Sequence, residues 1–168
     1  MKRVCTLTIG TLGLLFLGVV LSAGAVFAQT VKDFAGTWTL VSSVNEQGGN
    51  KTDQYGPNPK GILTVDANGH YVIAIARAGL PKVASNNRTT GTPEENKAIV
   101  QGSVFHFGTV SVNAADKTMT FKIETSTFPN WDGTEQKRPF TVTGDELKYT
   151  APAASGGGTL TAVWKRAK

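Results

Sequence analysis

Alternation is the feature that most narrows the fold. Between residues 36 and 166, apolar side chains recur at every second position in short runs separated by turn residues. Successive side chains on a strand point to opposite faces, so such runs predict strands with one buried face and one wet face. Tyr71, Ile73, Ile75 and Arg77 share one face, against Val72, Ala74 and Ala76. Met119, Phe121 and Ile123 alternate with Thr118, Thr120, Lys122 and Glu124. Arg138, Phe140 and Val142 oppose Lys137, Thr141 and Thr143, while Leu147 and Tyr149 oppose Glu146 and Lys148. Leu160, Ala162 and Trp164 oppose Thr159, Thr161 and Lys165.

The runs fall at Gly36–Asn45, Gly61–Asp66, His70–Arg77, Phe105–Asn113, Thr118–Phe128, Gln136–Thr143, Glu146–Ala151 and Thr159–Lys165. Asn68-Gly69 closes the second and third into a hairpin, since both residue types tolerate φ > 0. Eight strands with mostly tight turns predict an all-β, antiparallel barrel. One short α-helix is expected between strands 3 and 4. Thr92-Pro93-Glu94-Glu95 combines an N-cap, proline at N1 and glutamate at N3, a capping box. The helix should end near Gln101, with Gly102 as a left-handed cap. Two long segments, 46–60 and 78–91, read as loops.

The 168 residues carry 17 Lys+Arg against 12 Asp+Glu, a net charge of +5. The first 28 distort that total. Lys2 and Arg3 precede an uncharged apolar run from Leu7 to Leu21, and small residues lead to Val26-Phe27-Ala28. This is the pattern of a secretory signal peptide, with cleavage expected after Ala28. The domain, 29–168, then has 140 residues, a charge of +3 and no cysteine, because Cys5 leaves with the leader. Such a chain is expected in a periplasm or outside the cell. It excludes a disulfide framework and a cysteine-based zinc site. Beyond the leader, no apolar run is long enough to span a membrane. The basic residues are scattered among acids, which speaks against nucleic acid as a partner.

Two arginines break the inside-outside rule. Arg77 and Arg138 fall in phase with apolar, inward residues. A buried unpaired charge costs several kcal/mol in practice. Each arginine therefore reaches solvent, has a structural partner, or awaits an anion such as a carboxylate, which guanidinium matches bidentately. His70 and His106 are the only histidines. His70 follows the hairpin turn and should be exposed. His106 is either a satisfied strand histidine or a hydrogen-bonding group, even a general base, in a cavity. The loop Phe128-Pro129-Asn130-Trp131-Asp132-Gly133 either shapes a turn on the rim or covers a ligand, with Asn130 and Trp131 facing it.

Phe34-Ala35-Gly36-Thr37-Trp38 opens the domain, and Gly-x-Trp at the start of the first strand resembles the lipocalin signature. In that pattern the tryptophan closes one barrel end and stacks on a basic residue of the last strand, here Lys165 or Arg166. The wider sequence resembles the bacterial and fungal lipocalin-like domain family. Tyr55-Gly56-Pro57-Asn58-Pro59-Lys60-Gly61, Gly91-Thr92-Pro93-Glu94-Glu95, His106-Phe107-Gly108-Thr109 and Phe128-Pro129-Asn130-Trp131 carry the likeness in the family's order. It implies a small calycin-type barrel with room for a small molecule. It does not separate binder from enzyme, since related barrels include cyclases and isomerases.

The leading expectation is an exported barrel that binds a small hydrophobic or amphipathic molecule. Tyr71, Ile73, Ile75, Phe121, Ile123 and Phe140 would line the pocket. Arg77, Arg138 and His106 would hold a polar head. No cofactor or metal is called for, and oligomeric state is not legible. The alternatives are acid–base catalysis on His106 in the same cavity, or a filled barrel serving as a structural or interaction domain.

Overall fold

The computed structural model describes residues 30–168, so the leader expected at 1–28 lies outside the described residues. A four-residue helix, α1 (Val31–Phe34), leads into β1 (Gly36–Gln47) and β2 (Asn50–Asp53). β3 (Lys60–Val65) and β4 (His70–Ala76) form the next hairpin. The helix α2 (Pro93–Gly102) follows, then β5 (Ser103–Asn113) and β6 (Thr118–Ser126). A single 3₁₀ turn at Pro129–Trp131 precedes β7 (Glu135–Thr143), β8 (Glu146–Ala151) and β9 (Thr159–Arg166).

Each strand pairs antiparallel with its neighbour. β1 pairs with β3 along Gly36–Thr39 and with β9 from Trp38 to Glu46. The sheet therefore closes into an eight-stranded barrel, with β2 as an extra strand folded onto the far half of β1. Closure removes the free edges that an open sheet would present. The segment 46–60, expected as loop, contains β2. Its residues Asn50, Lys51, Thr52 and Asp53 are all exposed, so no apolar alternation announces it. Gly48 and Gly49, both at positive φ, make the turn. The extra strand places α2 between β4 and β5, after the fourth strand rather than the third.

Local chemistry otherwise follows the chain. Thr92 Oγ1 accepts from Glu95 N, and a Glu95 carboxylate oxygen accepts from Thr92 N, completing the capping box. Gly102 is the last helical residue and does not take the left-handed cap. Ser103 leaves in extended conformation and its hydroxyl donates to Ile99 O at 2.7 Å. In the Asn68-Gly69 hairpin only Gly69 adopts positive φ. Asp66 Oδ1 accepts from the backbone of Asn68 and His70, an Asx turn that holds Asn68 in ordinary geometry.

Strand direction alternates around the barrel, so each end gathers strand starts and strand ends alike, and what covers them makes the ends differ. At one end α1 plugs the opening. Phe34 is fully buried and packs edge-on to Phe140, 4.8 Å between ring centres. Trp38 is also fully buried and donates its indole N–H to Phe34 O. The Arg166 guanidinium lies 4.1 Å from the Trp38 ring and donates to the carbonyls of Ala35 and Asp33. Arg166, not the exposed Lys165, is the stacking partner, an interaction of ~0.5–2 kcal/mol. Trp38, Leu63, Ile73, Met119, Phe121, Leu147 and Trp164 fill the interior above it. At the other end the starts of β5 and β7 and the ends of β4, β6 and β8 converge.

Candidate functional site

Arg138 enters the barrel three residues along β7, in phase with Phe140, and is only 4% exposed. Among the described residues, no carboxylate lies within ion-pair distance of it. Its Nη2 donates to Gln136 Oε1 at 2.7 Å, and its buried Nε has no partner. The guanidinium carbon lies 4.4 Å from the Phe121 ring centre and 4.9 Å from that of Tyr149. Two aromatic rings, one amide oxygen and the neighbouring Tyr149 hydroxyl offset part of the desolvation cost. They leave most of the five guanidinium N–H groups without a protein acceptor.

His106 enters from β5 and is 3% exposed. Its Nδ1 is 2.9 Å from the Tyr71 hydroxyl, and its ring meets Trp131 edge-on at 5.7 Å. Burial first, and then the Arg138 cation, push the His106 pKa down from 6.5 to about 3. The imidazole is therefore neutral at ordinary pH, with one N–H and one lone pair. Burial raises the phenols of Tyr55, to about 12, and of Tyr71 and Tyr149, each opposed by Arg138. All three stay protonated. The site is one fixed cation among neutral polar groups and aromatic rings.

Arg138, His106, Tyr71 and Phe121 come together, and Trp131 joins them from the loop after β6. Ile73, Ile75 and Phe140 belong to the packed core, and Ile123 is fully buried on β6. Asn130 faces solvent. Arg77 lies just past β4, is exposed, and lines a depression of about 420 Å³ with Gln54, Tyr55, Val100 and Phe128. That depression shares Gln54, Tyr55 and Ser155 with the space against Arg138, but Arg77 does not line the latter. His70 is exposed and pairs with Asp66 at 2.9 Å. Gln136 and Tyr149 complete the Arg138 surroundings and escaped the sequence reading. The signal for Gln136 was its spacing of two from Arg138 on the same face. The signal for Tyr149 was its inward phase with Leu147, and the fold pairs it with Phe140.

The enclosed space against Arg138 is about 40 Å³, walled by Gln54, Tyr55, Trp131, Gln136 and Ala151 among others. That is enough for a few water molecules or a small head group. Among the described residues no group of His, Cys, Asp and Glu is arranged to hold a metal ion.

A closed antiparallel barrel, plugged by Gly-x-Trp and a terminal arginine and polar at its other end, defines a calycin-type domain. The sequence comparison is specific on the family: the profile of the lipocalin-like domain matches residues 35–167, and the chain belongs to that family. Among curated proteins none matches in sequence. Among solved structures, the crystal structure of an asparagine-to-glutamine mutant of the fluorescent protein UnaG is similar at 14% identity, covering 82% of this chain and 98% of that one, with a TM-score of 0.38.

Proposed function

We propose that this protein is an exported binding protein for a small amphipathic molecule with an anionic head, a carboxylate, held by Arg138. The observation that carries the reading is the buried Arg138 with no counter-charge. A barrel evolved only for stability gains nothing from it, because an apolar side chain of similar length avoids the desolvation cost. A carboxylate supplies the missing charge and accepts the guanidinium N–H groups in a bidentate pair. Gln136 orients the guanidinium, which lies against the adjoining Phe121 and Tyr149 rings. The neutral His106 and Tyr71 offer further hydrogen bonds without adding charge.

Catalysis by His106 gains no support from its environment. A general base works best with a pKa near the operating pH, and burial beside Arg138 drives this imidazole far below it. Export is supported by the leader pattern of residues 1–28. The mass of the protein recovered from a periplasmic or culture fraction tests cleavage after Ala28.

Binding is tested by titrating an anionic fluorescent fatty acid against the wild type and Arg138→Met. Loss of a charge-assisted pair worth ~1.5–3 kcal/mol lowers affinity roughly 10–100-fold. The variant should also unfold at a higher temperature than the unliganded wild type, since it loses a buried charge. Equal affinity for both proteins would refute the assignment.

A further inference from the structure

The space against Arg138 takes a head group and little more, and the barrel wall is open beside it. β7 and β8 pair only from Phe140/Tyr149 to Thr143/Glu146, although β7 begins at Glu135 and β8 continues to Ala151. The chain itself explains the stop. Phe140 donates its N–H to Lys117 O, on the β6 side. Backbone groups alternate sides along a strand, so Pro139 faces β8, where it has no N–H to give. Pro152, just past β8, lacks one as well.

Between the splayed ends lies a groove of about 610 Å³, lined by Trp131, Gln136, Arg138, Ala151, Pro152 and Ala153 among others. Trp131, Gln136, Arg138, Ala151 and Ala153 also wall the enclosed 40 Å³ space, so groove and cavity meet at the guanidinium. The packed interior leaves no room for a ligand tail. Ile73, Met119, Phe121 and Phe140 pack together there, each at most 4% exposed. Of the two depressions that meet the enclosed space, the one beside Arg77 is the more polar, lined by Gln54, Arg77, Gln101 and Ser103. A groove of this size suits one small organic molecule. Its rim carries Glu135 and Lys137, one charge of each sign, so Arg138 is left as the single unbalanced charge.

We infer that the ligand binds head inward and tail outward. It is a monocarboxylate with a short chain or one flat ring, and it reaches Arg138 between β7 and β8. Its apolar part lies in the groove against Trp131, Ala151, Pro152 and Ala153, outside the barrel. This rests on Arg138 as the anion anchor.

The test is calorimetric titration of sodium decanoate into the wild type, Arg138→Met and Ala153→Trp, with backbone amide shifts followed by NMR. Ala153 is exposed, so the indole fills the groove without disturbing the core. The expected result is a loss of about tenfold or more in both variants, with shifts at Thr134, Ala151 and Ala153 and none at Trp38 or Leu63, core residues on β1 and β3. Loss in Arg138→Met alone, with shifts at Trp38 and Leu63, would overturn the groove and leave the anchor standing. No decanoate binding, or equal binding by Arg138→Met, would overturn the anchor and the groove with it.

Discussion

Arg77 and Arg138 carry the same charge and the same inward phase, and the protein treats them oppositely. One lies past the end of its strand in water. The other is three residues inside, against two adjoining aromatic rings. Phase assigns a face; depth along the barrel axis depends on where the strand ends, and phase is silent on that. His106 shows what depth does to chemistry. Its pKa is about 3 in the folded protein against 6.5 ordinarily, because burial and Arg138 both oppose the charged form. As pH falls below 6.5 the unfolded chain takes up this proton and the folded one does not. Stability present above that pH is therefore lost progressively toward pH 3. Between about pH 7 and about pH 4, wild type should lose on the order of 3 kcal/mol more than His106→Gln. Urea unfolding at both pH values measures the difference. A matching loss in the two proteins would remove His106 as the cause.

Elements here are shaped as much by interruptions as by propensity. The β5–β6 ladder shifts register at Phe107/Gly108, a bulge just past His106. A Cβ at position 108 would lie 2.1 Å from Lys122 O, so only glycine allows the two backbones to approach. Gly108→Ala should cost roughly 2–3 kcal/mol, checked by its unfolding midpoint, and should disturb the Tyr71–His106 contact. An unchanged midpoint would mean that the bulge relaxes freely. Pro139 ends a ladder by a different means, withholding a donor. The helix α2 was legible because its start signals are local: Thr92, Pro93 and Glu95 do in space what their spacing implies. β2 was not legible. A fully exposed polar strand is held by its partner's backbone, and side-chain pattern records nothing of that.

For the whole molecule the decisive event is closure, the pairing of the first strand with the last. Arg166 joins these ends through the Trp38 ring and the carbonyls of Asp33 and Ala35. Arg166→Met should destabilise the domain by roughly 1–3 kcal/mol, because the two carbonyls and the ring lose their cationic partner together. Chemical unfolding measures it, and a shift within error would show that closure rests on the β1–β9 ladder alone. The sequence by itself determined eight of the nine strands, most of their buried faces and the helix start. Each of these is set by contacts within a few residues or by a period of two. Only the tertiary structure decided that Arg138 stands without a counter-charge, that Gln136 and Tyr149 surround it, and that the wall opens beside it. Those facts depend on which strands become neighbours and where each ladder stops. Both are settled by closure of the barrel, between residues far apart in the chain.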